Sequence, residues 1–383
     1  MSQENLENRY HRQMILKSFG KTGQAKLAQA KVLVIGAGGL GCPALQYLVA
    51  AGVGTIGIVD NDVVSLTNLH RQILFSESDL SKPKATTAAA KLTALNSEVK
   101  LNVYNEKITT ANALEIISNY DVVLDCTDNF ESRYLINDAC ALLDKPLVYA
   151  AVLKYEGQTA VFNFKNKEEV ERINYRDLFP NPVDAAHSVS CNEAGVLGVL
   201  PGIMGVLQTT ETLKIITGIG EVLSNKLLVY NALNSSFNTF NLTKNSDSQK
   251  AMPQNNEEFK NYDYELYCNS LLSFEITTET LTEMIDKKLT IIDVRNPDEQ
   301  PEAVDLSTFK MPLLELENLF ESQVTSSQVV FICQTGKRSL KAVELLKNNY
   351  SGHTFYSLKG GVLAWNEFKN KTNEHSQKEK SIY

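Results

Sequence analysis

The sequence predicts two α/β units, a larger one on a mixed sheet and a smaller one behind it, and three observations carry that prediction. Val32 to Ile35 is a fully apolar run, as expected of a strand covered on both faces, and it leads straight into Gly36-Ala-Gly-Gly-Leu-Gly41. A polar stretch rich in Asn, Ser, Lys and Gln, residues 243–262, interrupts the chain. Beyond it another apolar strand, Gln328 to Ile332, runs into Cys333-Gln-Thr-Gly-Lys-Arg-Ser339. At 383 residues the chain has volume for a core in each unit. The expected divisions are residues 1–245, a linker over 246–269, residues 270–370 and a flexible tail over 371–383.

Taken in order, residues 1–30 read as a polar start and a short helix carrying Arg12 and Gln13. The first strand ends at Gly36, Gly38 and Gly41, spaced G-x-G-x-x-G, and Leu40 to Ala51 reads as a helix that Gly52 stops. Glycines let the backbone approach a phosphate closely, and the helix N-terminus offers free N–H groups. This is a Rossmann-like start. Thr55 to Val59 is a second buried strand, ending at Asp60, where a carboxylate can bond a ribose hydroxyl.

Dehydrogenases share that much; the next residues change the reading. Asn68-Leu-His-Arg71-Gln72 and Lys84 follow within one loop region. Hydride transfer needs an apolar slot, whereas splitting a triphosphate needs cations and amide donors aimed at oxygens that gain charge. Lys84 to Leu95 reads as a helix, Val99 to Tyr104 as a strand, and Tyr120 to Cys126 as a buried strand ending in Thr127-Asp128-Asn129. Ligands gather at such strand ends, so Asp128 is placed either to hold a magnesium ion or to cap the helix starting near Phe130.

Strands follow at Pro146 to Val152, Gln158 to Phe164 and Lys226 to Tyr230, with an irregular stretch over 166–187 and an apolar helix from Gly205 to Thr217. Cys191, in Cys-Asn-Glu-Ala-Gly195, is either an exposed nucleophile or an inert thiol. In the second unit the landmarks are a helix from Thr278 to Lys287, a strand from Leu289 to Val294 closing in Asp293-Val-Arg295, a helix from Leu340 to Asn348, a strand from Phe355 to Leu358 and the turn Gly360-Gly361. Cys333 sits at a strand end in a six-residue loop ahead of a helix. Converging N–H groups, Lys337 and Arg338 can stabilise a thiolate or persulfide there.

Composition narrows the function classes. With 43% hydrophobic and 21% charged residues the balance is that of a soluble globular protein, and the net charge of −8 weighs against general nucleic-acid or anionic-membrane binding. No signal pattern and no apolar run of about 18 residues is present, so neither secretion nor membrane spanning is expected. The six cysteines form no C-x-x-C pair, which disfavours a disulfide scaffold and a four-cysteine zinc site and points to a reducing cytoplasm.

Residues about 9–242 resemble the MoeB/ThiF adenylyltransferases, relatives of the ubiquitin-activating enzymes. The resemblance rests on Arg-Tyr-His-Arg12-Gln, the Gly36–Gly41 loop, Asp60, Asn68-Leu-His-Arg71-Gln72, Lys84, Cys-Thr-Asp128-Asn and Cys191-Asn-Glu-Ala-Gly. Residues about 270–368 resemble a rhodanese domain through Asp293-Val-Arg295, Cys333–Ser339 and Gly360-Gly361…Trp365. The resemblance implies ATP bound by the glycine loop, with Gly39 and Gly41 along its phosphates and Asp60 on the ribose. Arg71, Gln72 and Lys84, with Asn68 beside them, would stabilise the triphosphate. Asp128 would bind Mg2+, and Arg12 would come from the partner subunit of a homodimer. Cys191 would lie on a loop crossing a carrier's tail, and Cys333 would carry a persulfide.

The implied reaction adenylates the C-terminal Gly-Gly carboxylate of a small ubiquitin-like sulfur carrier, releasing pyrophosphate, and then converts it to a thiocarboxylate. Molybdopterin synthesis, thiamin synthesis and tRNA thiolation all use such carriers, and the sulfur donor would be a cysteine desulfurase or thiosulfate. Two departures stand out. Many relatives carry two C-x-x-C pairs for a structural zinc, but this chain reads Asn174-Tyr-Arg-Asp177 at the first and has no second pair after residue 242, so no zinc is expected. Pro297 to Met311 lacks the usual His-Ile-Pro-Gly-Ala pattern, which leaves the wall of the Cys333 pocket unplaced. The rival readings are a tRNA-directed adenylating dehydratase and a non-catalytic scaffold for a ubiquitin-like protein; a plain NAD-dependent dehydrogenase rests on the glycine loop alone.

Overall fold

A computed structural model describes residues 3–165, 172–180, 195–245, 248–269, 274–285, 289–316, 320, 324, 326–347, 350 and 352–380. They divide into two compact units, the first ending at Glu265 and the second beginning at Leu266.

The first unit is built on an eight-stranded sheet. Its strands are β1 (Lys31–Ile35), β2 (Thr55–Val59), β3 (Lys100–Tyr104), β4 (Val122–Asp125), β5 (Leu147–Leu153), β6 (Glu156–Phe162), β7 (Lys226–Asn231) and β8 (Ser236–Asn241), in spatial order β3-β2-β1-β4-β5-β6-β7-β8. The pairings from β3 to β5 are parallel and those from β5 to β8 antiparallel, so the sheet is mixed, as the sequence predicts. Val32–Ile35 and Val122–Asp125 are buried on both faces, which explains why these central strands read as unbroken apolar runs. The order reverses at β1 and β4, so their carboxyl ends open a crevice.

Helices flank the crevice. Helix α1 (Gln3–Met14) and α2 (Gly20–Gln29) precede β1, and α3 (Gly41–Ala51) follows the glycine loop and stops at Gly52 in a left-handed conformation. Helix α4 (Lys84–Leu95), α5 (Ala113–Ser118) and α6 (Phe130–Leu142) complete the alternation. Helix α7 spans Val199–Thr217 and so starts earlier than expected; Pro201 falls in its first turn, where its missing N–H costs nothing. From α7 the buried Gln208 donates Nε2 to the Asp125 and Val148 carbonyls, tying the ends of β4 and β5.

Strand β8 was not legible in advance. It is an edge strand, Ser-Phe-Asn-Thr-Phe-Asn, whose exposed Phe237 and Phe240 stand three residues apart, so it lacks the period-two alternation that marks a half-buried strand. The expected linker over 246–269 also differs from what the fold shows. Ser248–Ala251 forms a 3-10 turn, and Asn256–Asn261 forms a helix capped by the Asn255 side chain. Phe259 is fully buried, and Tyr264 donates its hydroxyl to Asp138 Oδ2 at 2.8 Å. Two aromatic anchors thus hold an otherwise polar stretch on the first unit.

The second unit is a five-stranded parallel sheet in the order β11-β10-β12-β13-β9, from β9 (Glu275–Ile276), β10 (Thr290–Asp293), β11 (Phe309–Lys310), β12 (Gln328–Ile332) and β13 (Thr354–Leu358). Helices α8 (Thr278–Met284), α9 (Lys337–Leu346) and α10 (Gly361–Lys380) surround it, and the buried Trp365 donates to the Val304 carbonyl at 2.8 Å. Helix α10 continues through most of the expected flexible tail, supported by a Lys371–Glu367 pair one turn apart at 2.7 Å.

Candidate active site

The crevice at β1 and β4 holds a cavity lined by Gly36, Gly38, Gly39, Asp60, Arg71, Gln72, Lys84 and Asp128, among others. Eight expected residues from five separate stretches therefore meet. Gly36 has φ +99°, and a side chain there would strike the Cys126 carbonyl at 2.6 Å, so only glycine permits the turn. Gly41, the first residue of α3, does not line the cavity; a Cβ there would lie 1.9 Å from the Gly36 carbonyl oxygen, so the loop and the helix start pack too closely for any side chain. Asn68 is also off the wall. Its carbonyl accepts from the backbone of Arg71 and Gln72 at 3.0 and 2.9 Å, turning those side chains toward the glycine loop.

Asp60 accepts from the Ala37 amide at 2.7 Å and the Asp62 amide at 2.8 Å, which pins the glycine loop to the end of β2. Burial pushes its carboxyl above the usual range, while the Ala37 amide and Lys84 pull it back. Lys84 is buried at the first position of α4 and donates Nζ to Asp62 Oδ2 at 2.9 Å. Arg71 donates to the Thr67 carbonyl at 3.1 Å, and the Oε1 of the buried Gln72 has no hydrogen-bond partner among the described residues. A buried amide oxygen without a partner is costly, and a ligand donor in the cavity would relieve it.

The cap of α6 is Asn129, whose side chain accepts from Ser132 N at 2.9 Å. Of the two roles open to Asp128, capping is therefore taken by its neighbour, and the exposed Asp128 carboxylate faces the cavity with no hydrogen bond of its own among the described residues. An unengaged carboxylate in a crevice also lined by Arg71, Gln72 and Lys84 fits a hard divalent cation such as Mg2+.

Arg133 escaped the sequence reading. It lines the same cavity, largely buried, with Nη2 on the Thr127 carbonyl at 3.2 Å and its guanidinium between the rings of Phe130 and Tyr149 at 5.6 and 5.7 Å. It lies one turn beyond the Asn129 cap, the spacing that returns a side chain over the strand end. Burial raises the Asp125 carboxyl, and the Arg133 charge opposes that rise. Lys107, just beyond β3, adds another cation to the wall.

Arg12 is exposed in the last turn of α1 and is absent from the wall of its own chain's cavity. Cys191 lies outside the described residues.

Asn174 and Asp177 form a different structure from a zinc knuckle. They make a reciprocal capping box around the turn Tyr175–Leu178. The Asp177 side chain is fully buried. Its Oδ1 accepts from Ser248 Oγ at 2.6 Å and Asn245 N at 3.0 Å, and its Oδ2 from Asn174 N at 2.8 Å and Lys244 Nζ at 3.3 Å. Both oxygens are committed to protein donors, one of them cationic, and no thiolate is present, so these residues do not fit a structural zinc.

Cys333 follows β12 in the second unit and is 1% exposed. Gly361 packs on its carbonyl so closely that a Cβ would lie 2.1 Å away, and Val362 N donates to that carbonyl at 2.8 Å. Ser339 Oγ stands 3.6 Å from Sγ. The helix begins at Lys337, so the last residues of the expected six-residue loop form its first turn and bring its N–H groups and dipole to the sulfur.

The wall that the sequence left unplaced is the turn at residues 296–301. Arg295 binds Asp293 through Nε and Nη2 at 2.9 and 2.7 Å and reaches Gln334 Oε1 at 3.1 Å; Gln334 donates to the Gln300 carbonyl at 3.2 Å; Arg338 binds Glu299. The turn is thereby stapled to the cysteine loop.

Residues 10–251 match the ThiF family and residues 277–368 the rhodanese-like domain. The adenylyltransferase and sulfurtransferase MOCS3 of Arabidopsis thaliana is 39% identical, over 93% of this chain and 82% of that protein. A sulfur carrier protein adenylyltransferase of Thermus thermophilus is 46% identical, over 68% of this chain and 96% of its own length. Among solved structures, E. coli MccB with ATP aligns with a TM-score of 0.54 at 23% identity, over 64% of this chain and 75% of that one, a likeness of fold.

Proposed function

The chain belongs to the ThiF family and carries a rhodanese-like domain, and from that premise we propose that it uses ATP to adenylate a sulfur-carrier protein and then supplies sulfur from Cys333. The observation that carries the reading is the meeting of Gly38, Asp60, Arg71, Gln72, Lys84 and Asp128 in one crevice of a chain that also cradles Cys333 at a helix N-terminus.

The substrate is a small ubiquitin-like protein ending in Gly-Gly. A carboxylate is a poor electrophile, and transfer to AMP gives it a leaving group. Its oxygen attacks the α-phosphorus in line with departing pyrophosphate. The glycine-loop amides hold the phosphates and Asp60 the ribose. Lys84 leaves Asp62 for the phosphate oxygens and, with Arg71 and Arg133, offsets the charge that grows on them. Mg2+ would be held by Asp128, where it supplies charge neutralisation between phosphates. The upstream, exposed place of Arg12 supports its donation to the neighbouring subunit of a homodimer. Persulfide sulfur on Cys333 then attacks the activated acyl carbon, and reductive release leaves the thiocarboxylate; Cys191 takes part as an acyl-disulfide partner or thioester nucleophile.

No helix among the described residues is long and apolar enough to cross a membrane, and five free cysteines among them accord with a reducing cytoplasm. The carrier's pathway, whether molybdopterin, thiamin or tRNA thiolation, is read out by the test. Each Gly-Gly-tailed carrier is incubated with the protein, ATP, Mg2+, a sulfur donor and a reductant, and its intact mass is measured. Replacement of one oxygen by sulfur is the expected result, and Cys333→Ser should abolish it while sparing pyrophosphate release. No pyrophosphate with any carrier would overturn the reading in favour of the tRNA or scaffold alternative.

A further inference from the structure

We propose that Ser357 is a positioning residue of the sulfur-carrying site: its hydroxyl holds that of Ser339 in the orientation that donates to the charged sulfur of Cys333. The inference rests on the reading of Cys333 as the sulfur carrier.

Ser357 lies on β13, 18 residues beyond Ser339 and outside the stretch from Cys333 to Ser339. It shares a face of its strand with Phe355, which stacks on Phe331, so a polar residue is set here among core side chains. Ser339 and Ser357 are both fully buried, and a buried hydroxyl is kept where it has partners. Their oxygens stand 2.9 Å apart. Ser339 Oγ also lies 2.8 Å from the Gly336 carbonyl oxygen and within reach of Cys333 Sγ at 3.6 Å. Ser357 Oγ is 3.4 Å from that same carbonyl. The spacing is set by backbone: a Cβ on Gly336 would lie 3.1 Å from Gly360 N and 3.2 Å from the Leu358 carbonyl oxygen, so the loop rests directly on the end of β13.

Each hydroxyl has one hydrogen to give, and that count decides the pattern. Beside a neutral thiol, the Gly336 carbonyl is the better acceptor and takes the Ser339 hydrogen. Beside a thiolate, the sulfur is the stronger acceptor, and the hydrogen turns to it. The carbonyl is not stranded by this, because the Leu340 amide still donates to it at 3.1 Å. The Ser339 oxygen is then buried with its hydrogen committed, and Ser357 supplies the donor it needs. The result is a chain from Ser357 through Ser339 to sulfur, in which each bond polarises the next.

The charge concerned is that of the Cys333 thiolate, present before loading and again when reductive release breaks the Sγ–S bond. In loading from thiosulfate the thiolate attacks the outer sulfur, the Sγ–S bond forms, the donor's S–S bond breaks, and sulfite leaves with the electron pair.

The test loads the full-length protein with thiosulfate, whose own charge is constant over the pH range used, and follows Cys333 by intact mass and peptide mapping. Ser339→Ala should raise the pH midpoint of the loading rate by about one to two units, the worth of a hydrogen bond to a charged group. Ser357→Ala should raise it by about half a unit, or about threefold in rate below the midpoint. In the Ser339→Ala background the same change should add nothing, since Ser357 acts through Ser339. Ser357→Thr keeps the hydroxyl and should keep the wild-type midpoint. The charged groups around the loop, Lys337, Arg338, Arg295, Asp293, Glu299 and Lys359, stay in place in every variant, so the differences read the hydroxyls. A midpoint is also independent of how much of a variant is folded. An unmoved midpoint in Ser357→Ala, an equal rise in Ser357→Thr, or a rise that persists without Ser339 would each overturn the assignment while leaving Cys333 as carrier. Absence of loading in the wild type, or equal loading of Cys333→Ser, would overturn the carrier reading as well.

Discussion

Lys84 offers a perturbation in which chemistry and stability separate cleanly. The lysine is 5% exposed and its Nζ lies 2.9 Å from Asp62 Oδ2, but the Asp62 side chain is 64% exposed. Lys84→Met keeps the aliphatic stem packed at the start of α4 and leaves Asp62 solvated rather than buried and unpaired. The lost ion pair should therefore cost no more than about 1 kcal/mol of stability. For a unit of this size that lowers Tm by roughly 2–4 °C. The loss in catalysis is of another order, because a charged donor aimed at developing phosphate charge contributes about 2.7–4 kcal/mol, or about 10²–10³ in kcat. Carrier-dependent pyrophosphate release, with melting followed on the same sample, distinguishes the two. A variant within tenfold of wild type would refute the place given to Lys84 at the reacting phosphate. Lost activity with a Tm lowered by well over ten degrees would refute the claim that the lysine is catalytic rather than structural.

Asp128→Ala should abolish Mg2+-dependent pyrophosphate release with no loss of stability, since Asn129 keeps the helix cap; undiminished release would remove the metal role. Asp177→Ala removes the acceptor of the Asn174 and Asn245 amides and one of the two acceptors of Ser248 Oγ and of Lys244 Nζ, and should cost about 3–5 kcal/mol by thermal denaturation, whereas prolonged chelator treatment of the wild type should leave Tm unchanged. Hydrogen bonding by Arg338 holds the Glu299 carboxyl down at about 2. A depressed folded-state value stabilises at pH above the unfolded value of about 4.3, so the gap in stability between wild type and Glu299→Gln should be constant there and close as pH falls toward 2. A gap that widens on acidification would show the sign to be wrong.

The parts legible in the sequence were those whose cause is local. Val32–Ile35 and Thr55–Val59 announce themselves because a strand buried on both faces tolerates no polar residue, and Gly36 because its backbone angle excludes every side chain. Arg71, Gln72 and Lys84 are recognisable as a block, although the helix that buries Lys84 and the turn through Asn68 that aims the other two come only with the fold. Arg133 was hidden by its ordinary place in a helix: its role depends on two rings and a carbonyl contributed by other segments or other turns. Residues 248–264 look like a linker because their composition is polar; two aromatics decide the matter, and their partners, such as Asp138, are more than a hundred positions away in the chain. Glu299 was not singled out in the sequence, and its pairing with Arg338 follows from a turn that brings the two together.

The carboxylate hub at Asp177 has a bearing on what kind of cell chemistry this protein can endure. Sulfane sulfur is an electrophile toward thiolates, and a cluster of metal-bound thiolates in the same molecule as a persulfide would stand exposed to its own cargo. Asp177, Ser248 and two backbone amides offer that cargo nothing to react with. Among the described residues, the seam that Lys244, Asn245 and Ser248 make with Asp177 is one of oxygen and nitrogen. Such a seam offers no thiolate to be oxidised.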